Sequence, residues 1–195
     1  MRIDFNKTER PGAKRTIWRE PKVLPGGFTP TNDLSNGSFI KRGTLVLVDT
    51  KSREATIIRV AKVMAIDSTH IRISNDGFME AGTICMISGK STSFQIVSID
   101  KYDNETDIIT IDSSVESLAV GDIFFEVKPK GMGSSEIIYP NAVTATDCTV
   151  KENTFTVLDI AWQAIVVRSA TNGIPEEFVC GGITLKNNHN IVFIN

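Results

Sequence analysis

From Ser38 to Val127 the chain runs in short stretches rich in β-branched and aromatic residues, several alternating apolar and polar at every second position. His70-Ile71-Arg72-Ile73-Ser74 shows the pattern most plainly. A period of two puts successive side chains on opposite faces of an extended strand, a pattern that no helix face can bury. Thr44–Asp49, Ala55–Asp67, Thr83–Ser88, Ser93–Asp100, Asp107–Asp112 and Asp122–Val127 complete the set. Turn formers separate them, among them Asn75-Asp76-Gly77, Ser88-Gly89-Lys90 and Asp103-Asn104. Short strands at this spacing predict an all-β sandwich or barrel. Ile57–Ile66 is the one stretch with a helical alternative, and its β-branched residues argue for strand.

A phrase recurs within this region. "FIKRGTLVLV" (Phe39–Val48), "FMEAGTICMI" (Phe78–Ile87) and "SLAVGDIFFE" (Ser117–Glu126) align without gaps, with Gly43, Gly82 and Gly121 each 39 residues apart. Glycine supplies the backbone angles of a tight turn, and the following Thr or Asp can bond nearby amides before a strand begins. The repeat predicts tandem β units packed as one small barrel over residues 38–128.

On either side the composition changes. Residues 129–136 carry Pro129, Gly131, Gly133 and two serines, and read as an interdomain linker. Residues 137–195 predict a C-terminal β-rich domain with strands at Cys148–Val150, Thr154–Leu158 and Ala164–Val167. Its final Ile191-Val192-Phe193-Ile194 predicts a docked strand, because such an end would otherwise be an exposed edge. Gly173–Gly182 predicts a single helical turn, with Pro175 early and Gly181 at its end. Residues 1–37 are different again. Pro11–Asp33 holds four of the seven prolines together with Ile17, Trp18, Val23, Leu24 and Phe28. It is too broken to fold alone and too apolar to be only a tether, so it predicts an extended arm ordered by another molecule.

At 41% apolar and 23% charged residues the protein is globular, and its net charge of −2 predicts no strong affinity for nucleic acid or membrane. The opening residues lack the apolar core of a signal peptide and predict synthesis in the cytoplasm. The charge is uneven. Residues 1–22 hold seven basic and three acidic side chains, a net of +4, on a body that is correspondingly acidic. A basic arm on an acidic body predicts contact with an acidic surface. Cys85, Cys148 and Cys180 have no metal-ligand spacing and read as small residues of a reduced core.

Motifs for chemistry are weak. Gly89-Lys90-Ser91 matches the tail of a phosphate-binding loop, but Ile84 stands where the first glycine belongs and a strand follows in place of a helix. Asp100, Asp103, Glu105 and Asp107 lack the mid-loop glycine of a calcium loop and read as an acidic hairpin tip. His70 and His189 accompany no serine-nucleophile motif. Trp162 sits among β-branched residues and reads as core. No metal site is predicted.

Three stretches carry a resemblance: "FIKRGTLVLVD" with "FMEAGTIC"; "ITIDSSVESLAVGDIFFEV"; and Pro140–Asn195, with Ile174-Pro175 ahead of the last apolar strand. Together they resemble the auxiliary head proteins of tailed bacteriophages, both decoration proteins and head-fibre bases. The protein departs from a fibre in having no heptads or collagen-like triplets, so it resembles a base without the shaft. The resemblance implies a virion structural protein on the capsid exterior, bound to the major capsid protein, with no catalytic residues and no cofactor. A homo-oligomer, such as a trimer, goes with it. It also implies what the arm holds. Arg10, Lys14, Arg15, Arg19 and Lys22 would pair with capsid carboxylates while Trp18 and Phe28 fill pockets. Two other readings stand beside it: a glycan- or receptor-binding β module whose arm is an oligomerisation strap, and a polysaccharide hydrolase.

Overall fold

The computed structural model describes residues 16–17, 20–67, 70–74, 78–102, 106–112, 118–130, 135–152 and 154–195. The described part is nearly all β, as the alternation predicts. In order come β1 (Lys22–Val23), β2 (Thr29–Pro30), β3 (Phe39–Ile40), β4 (Leu45–Asp49), β5 (Glu54–Ile57) and β6 (Val60–Asp67). Then come β7 (His70–Ser74), β8 (Ile84–Ile87), β9 (Ser93–Lys101), β10 (Thr106–Ile111), β11 (Ile123–Pro129) and β12 (Ser135–Ile137). The last third holds β13 (Ala142–Thr144), β14 (Cys148–Thr149), β15 (Ile160–Val167), β16 (Val179–Cys180), β17 (Thr184–Leu185) and β18 (Asn188–Ile194). Glu176–Phe178 is a single 3-10 turn entered from Pro175, where one helical turn is expected.

The middle strands form a barrel. They pair in the order β11-β6-β7-β10-β9-β8, and β8 pairs again with β11, so the ring closes. Closure leaves these six strands no open edge among themselves. Every second residue points inward: Ala61 and Val63, Ile71 and Ile73, Cys85 and Ile87, Phe94 and Ile96, Ile109 and Ile111, with Phe124. Phe94 and Phe124 meet edge to face at 5.3 Å. Arg72, between two buried isoleucines, lies against Tyr102 at 5.1 Å.

All three repeat glycines take positive φ: Gly43 at 84°, Gly82 at 87° and Gly121 at 96°. In each copy the next residue's N–H closes a turn onto the carbonyl three back, Thr44 on Lys41, Thr83 on Glu80 and Asp122 on Ala119. Each glycine N–H donates to another strand, at Thr144, Ile96 and Val63 respectively. The side chains act as expected at two of the three: Thr44 Oγ1 donates to Lys41 O at 2.7 Å, and Asp122 Oδ2 accepts from the Ala119 N–H at 3.0 Å. These are turns of the type II pattern, which needs φ > 0 at its third residue.

The domain plan differs from expectation at three places. The first copy does not join the barrel. Its strand β4 pairs with β13 and β5, within a second sheet ordered β16-β17-β18-β15-β13-β4-β5-β2. The Asn141 amide fixes that choice by bonding both Val48 N (2.8 Å) and Val48 O (3.0 Å). Second, Ala55–Asp67 is two strands. The backbone turns a corner at Ile58–Arg59, where Ile58 N–H still bonds Leu45 O while Glu126 N–H already bonds Arg59 O. Third, the ends of the expected linker are paired strand, with β11 and β12 joined through Lys128↔Glu136 and Pro129↔Ser135, while residues 131–134 lie outside the described residues. The two sheets share one core, in which Val60, Phe125 and Val127 pack with Val143, Val166, Phe178 and Phe193, and Phe125 and Phe178 stand 4.9 Å apart. A common core of this kind removes the basis for separate domains at 38–128 and 137–195. The final strand docks as expected, with β18 parallel to β15 from Ala164↔Ile191 to Val167↔Ile194.

Candidate interaction surface

The described parts of the arm, residues 16–17 and 20–30, lie on the protein's own body. They run antiparallel along one edge of β15: Ile17 opposite Val166, Lys22 opposite Gln163, Val23 opposite Ala161 and Phe28 opposite Leu158. Val167 N–H bonds Thr16 O at 2.7 Å, and Leu24 N–H bonds Ile160 O at 2.8 Å. Past Phe28 the arm turns onto β5, with Thr29↔Glu54 and Pro30↔Ala55 in parallel register. Sheet pairing explains how a segment with so many prolines is ordered, since an edge strand needs bonds on one side only. The turn Pro25-Gly26-Gly27 makes room for the crossing. Gly27 has φ +66°, and a Cβ there would come 2.3 Å from Val157 Cγ1.

This placement corrects one expected anchor residue. Phe28 is 2% exposed and belongs to a core with Ile40, Val46, Ile57, Leu158 and Ile160, so its ring has nothing left to offer a partner. Arg53, itself at φ 63°, lies over that ring at 5.5 Å and bonds Pro25 O. Lys22 has its backbone in the sheet, and its ammonium sits 5.9 Å from the Trp162 ring centre. Arg10, Lys14, Arg15, Trp18 and Arg19 lie outside the described residues. Trp162 itself is 37% exposed and is no core residue. Of the cysteines only Cys85 is fully buried, which pushes its thiol pKa up. Cys148 is half-buried and Cys180 exposed.

The arm enters the described structure at a particular place. Thr16, 7% exposed, packs on the first repeat turn, where a Cβ on Gly43 would approach its Cγ2 to 2.5 Å. Lys41, Arg42 and Thr16 share the wall of a cavity of about 40 Å³ with Ala170–Ile174. Arg42 N–H bonds Asp147 Oδ1 at 2.8 Å.

Two polar clusters tie the sheets together, and neither stood out in the sequence. Arg59, 11% exposed, bonds Glu80 at 2.6 Å, Glu126 at 3.3 Å and the Phe78 carbonyl at 2.7 Å. Phe78 holds φ +55°, rare for a bulky residue, and so presents that carbonyl. The Gly89-Lys90-Ser91 stretch is a hairpin turn between β8 and β9, as expected. The Gly89 amide and the Ser88 hydroxyl beside it hold an anion, but that anion is the protein's own. Glu177 accepts from Ser88 Oγ (2.9 Å) and Gly89 N (2.8 Å), while Glu176 N–H donates back to Ser88 Oγ. Lys90 bonds Asp122 at 2.8 Å. The only sequence signal for either cluster was charge on turns, which most surface turns share.

His70 is exposed on β7, and His189 Nδ1 lies 3.4 Å from Thr184 Oγ1. The acidic tip at 103–105 lies outside the described residues. Among the described residues no three His, Cys, Asp or Glu side chains come together as a metal-binding group. No protein-family model, curated protein or solved structure matches this sequence.

Proposed function

We propose that this is an auxiliary virion protein that sits on the outer surface of a capsid, against the major capsid protein. Its basic leader, residues 2–15, holds it there together with Trp18 and Arg19. The observation that carries this reading is the fixed exit of the leader. Thr16 and Ile17 are pinned between β15 and the Lys41–Thr44 turn, so a segment with five basic and two acidic side chains starts from one rigid point beside Lys41 and Arg42. Concentrated positive charge on an otherwise acidic body favours an acidic surface and speeds encounter with it. The paired parts of the strap, Thr16–Ile17 and Lys22–Pro30, then serve the fold, and the leader with Trp18 and Arg19 serves the partner.

Removing residues 2–15 should leave the circular dichroism spectrum unchanged and abolish co-sedimentation with capsids. Undiminished capsid binding by the folded, truncated protein would sink the proposal. Salt titration adds a second readout, because an attachment through basic side chains weakens as ionic strength rises.

One observation favours a glycan-binding reading. Trp162 exposes part of its ring on a strand, beside Lys22 and Gln163, which can supply hydrogen bonds to hydroxyls. Binding on a glycan array that is lost in Trp162→Ala would support it.

A further inference from the structure

The sequence holds two Asn-Gly pairs, Asn36-Gly37 and Asn172-Gly173. Such pairs are chemically vulnerable because a glycine amide, unhindered by a Cβ, can reach the carbonyl of the asparagine side group before it. The structure treats the two differently. At the first, Asn36 Oδ1 accepts the Glu152 N–H at 3.0 Å, and Gly37 N–H donates to Val150 O at 2.9 Å. The turn around them is closed by Ser38 N–H on Ser35 O at 3.0 Å. Both reacting groups are therefore held apart in well-formed bonds, even though the pair is exposed.

At the second pair nothing comparable restrains them. No hydrogen bond to the Asn172 amide group is present among the described residues, and Gly173 N–H has only a long contact of 3.3 Å to Thr171 Oγ1. Asn172 lines the cavity of about 40 Å³, room for one water, with Lys41 and Arg42 in the same wall. Gly173 has φ +100° and packs against Ile123, so the turn is specified around glycine and keeps the vulnerable dipeptide.

We propose that Asn172 is a site of spontaneous covalent modification, deamidation through a succinimide, while Asn36 is protected by the fold. Gly173 N loses its proton to solvent and attacks Asn172 Cγ. A new bond forms between Gly173 N and Asn172 Cγ, Nδ2 takes a proton from solvent, the bond from Cγ to Nδ2 breaks, and Nδ2 leaves as ammonia. Water then opens the imide at one of its two carbonyls, giving aspartate or isoaspartate. No electrons are transferred, and water is the only co-reactant.

The test is peptide mapping by mass spectrometry on the full-length folded protein, aged at mildly alkaline pH, with a denatured sample aged in parallel. Amide-to-acid conversion at Asn172 should run at least several-fold ahead of Asn36 in the folded protein, and the two should converge in the denatured one. On ion exchange the acidic variant that accumulates should be absent from Asn172→Gln and retained in Asn36→Gln. The proposal is overturned if Asn36 converts first or at the same rate in the folded protein. It is equally overturned if Asn172 keeps its amide when folded and loses it when denatured.

Discussion

At the residue scale the three repeat glycines are equivalent in backbone and unequal in surroundings. Around Gly82 a Cβ would meet nothing within 4 Å, whereas at Gly43 it would strike Thr16 Cγ2 at 2.5 Å. Gly82→Ala should therefore cost only the left-handed backbone penalty, roughly 1–2 kcal/mol. Gly43→Ala should cost distinctly more, and adding Thr16→Ser, which removes the clashing methyl, should recover the excess in denaturant titrations. The third copy substitutes Asp122 for threonine and gains a titratable contact. The Lys90 hydrogen bond, with help from the Ala119 N–H, holds its carboxyl below the ordinary 3.8. A lowered folded pKa stabilises the protein above the ordinary value, and the benefit is lost as pH falls through the folded one. Asp122→Asn should accordingly lower stability by about 1 kcal/mol at neutral pH. The gap to wild type should close on acidification below pH 3.8, measured as unfolding midpoints across the acid range.

At the scale of elements the strap and β15 depend on one another. The edge of β15 would stand open without residues 16–30, and those residues have no other partner strand than β15 and β5 among the described residues. Truncation to residue 33 should thus expose a sheet edge and the Phe28 pocket, giving an aggregating or unfolded product. Truncation to residue 15 should stay soluble and folded, a contrast that size-exclusion chromatography reads directly. Phe28→Ala, which empties a fully buried ring site, should lower stability by about 3–5 kcal/mol. The three backbone turns of the repeat are alike whether the strand that follows joins the barrel or the other sheet, so the phrase encodes a turn and a following strand and leaves the choice of sheet open.

For the whole molecule the question is whether barrel and open sheet melt separately. Their cores merge around Phe125 and Phe178, and the Arg59 and Glu177 clusters bridge the same junction. Hydrogen exchange at Ile96 in the barrel and Val166 in the sheet should report the same opening free energy, as a single cooperative unit requires. Arg59→Met leaves two carboxylates facing a vanished cation. It should destabilise both regions together by about 1–2 kcal/mol, since water can reach Glu80 and part of Glu126. Two resolved transitions in the wild type would contradict the shared core.

Much was legible in the sequence itself. The alternation of His70–Ser74, the positive-φ glycines at 43, 82 and 121 and the strand character of Ile191–Ile194 are local properties. Side-group period and backbone sterics act within a few residues, so sequence alone determines them. What tertiary structure decided was partnership. β4 could have joined the barrel by its phrase, and only the Asn141 amide and β13 drew it into the other sheet. Residues 129–136 have a linker's composition, yet Lys128 and Glu136 face each other in paired strands. Phe28 and Trp162 changed places relative to expectation, the first buried and the second half-exposed, because burial depends on what lies opposite across a sheet. Hydrogen-bond ladders are made between segments far apart in sequence, and nothing in either segment alone names the other.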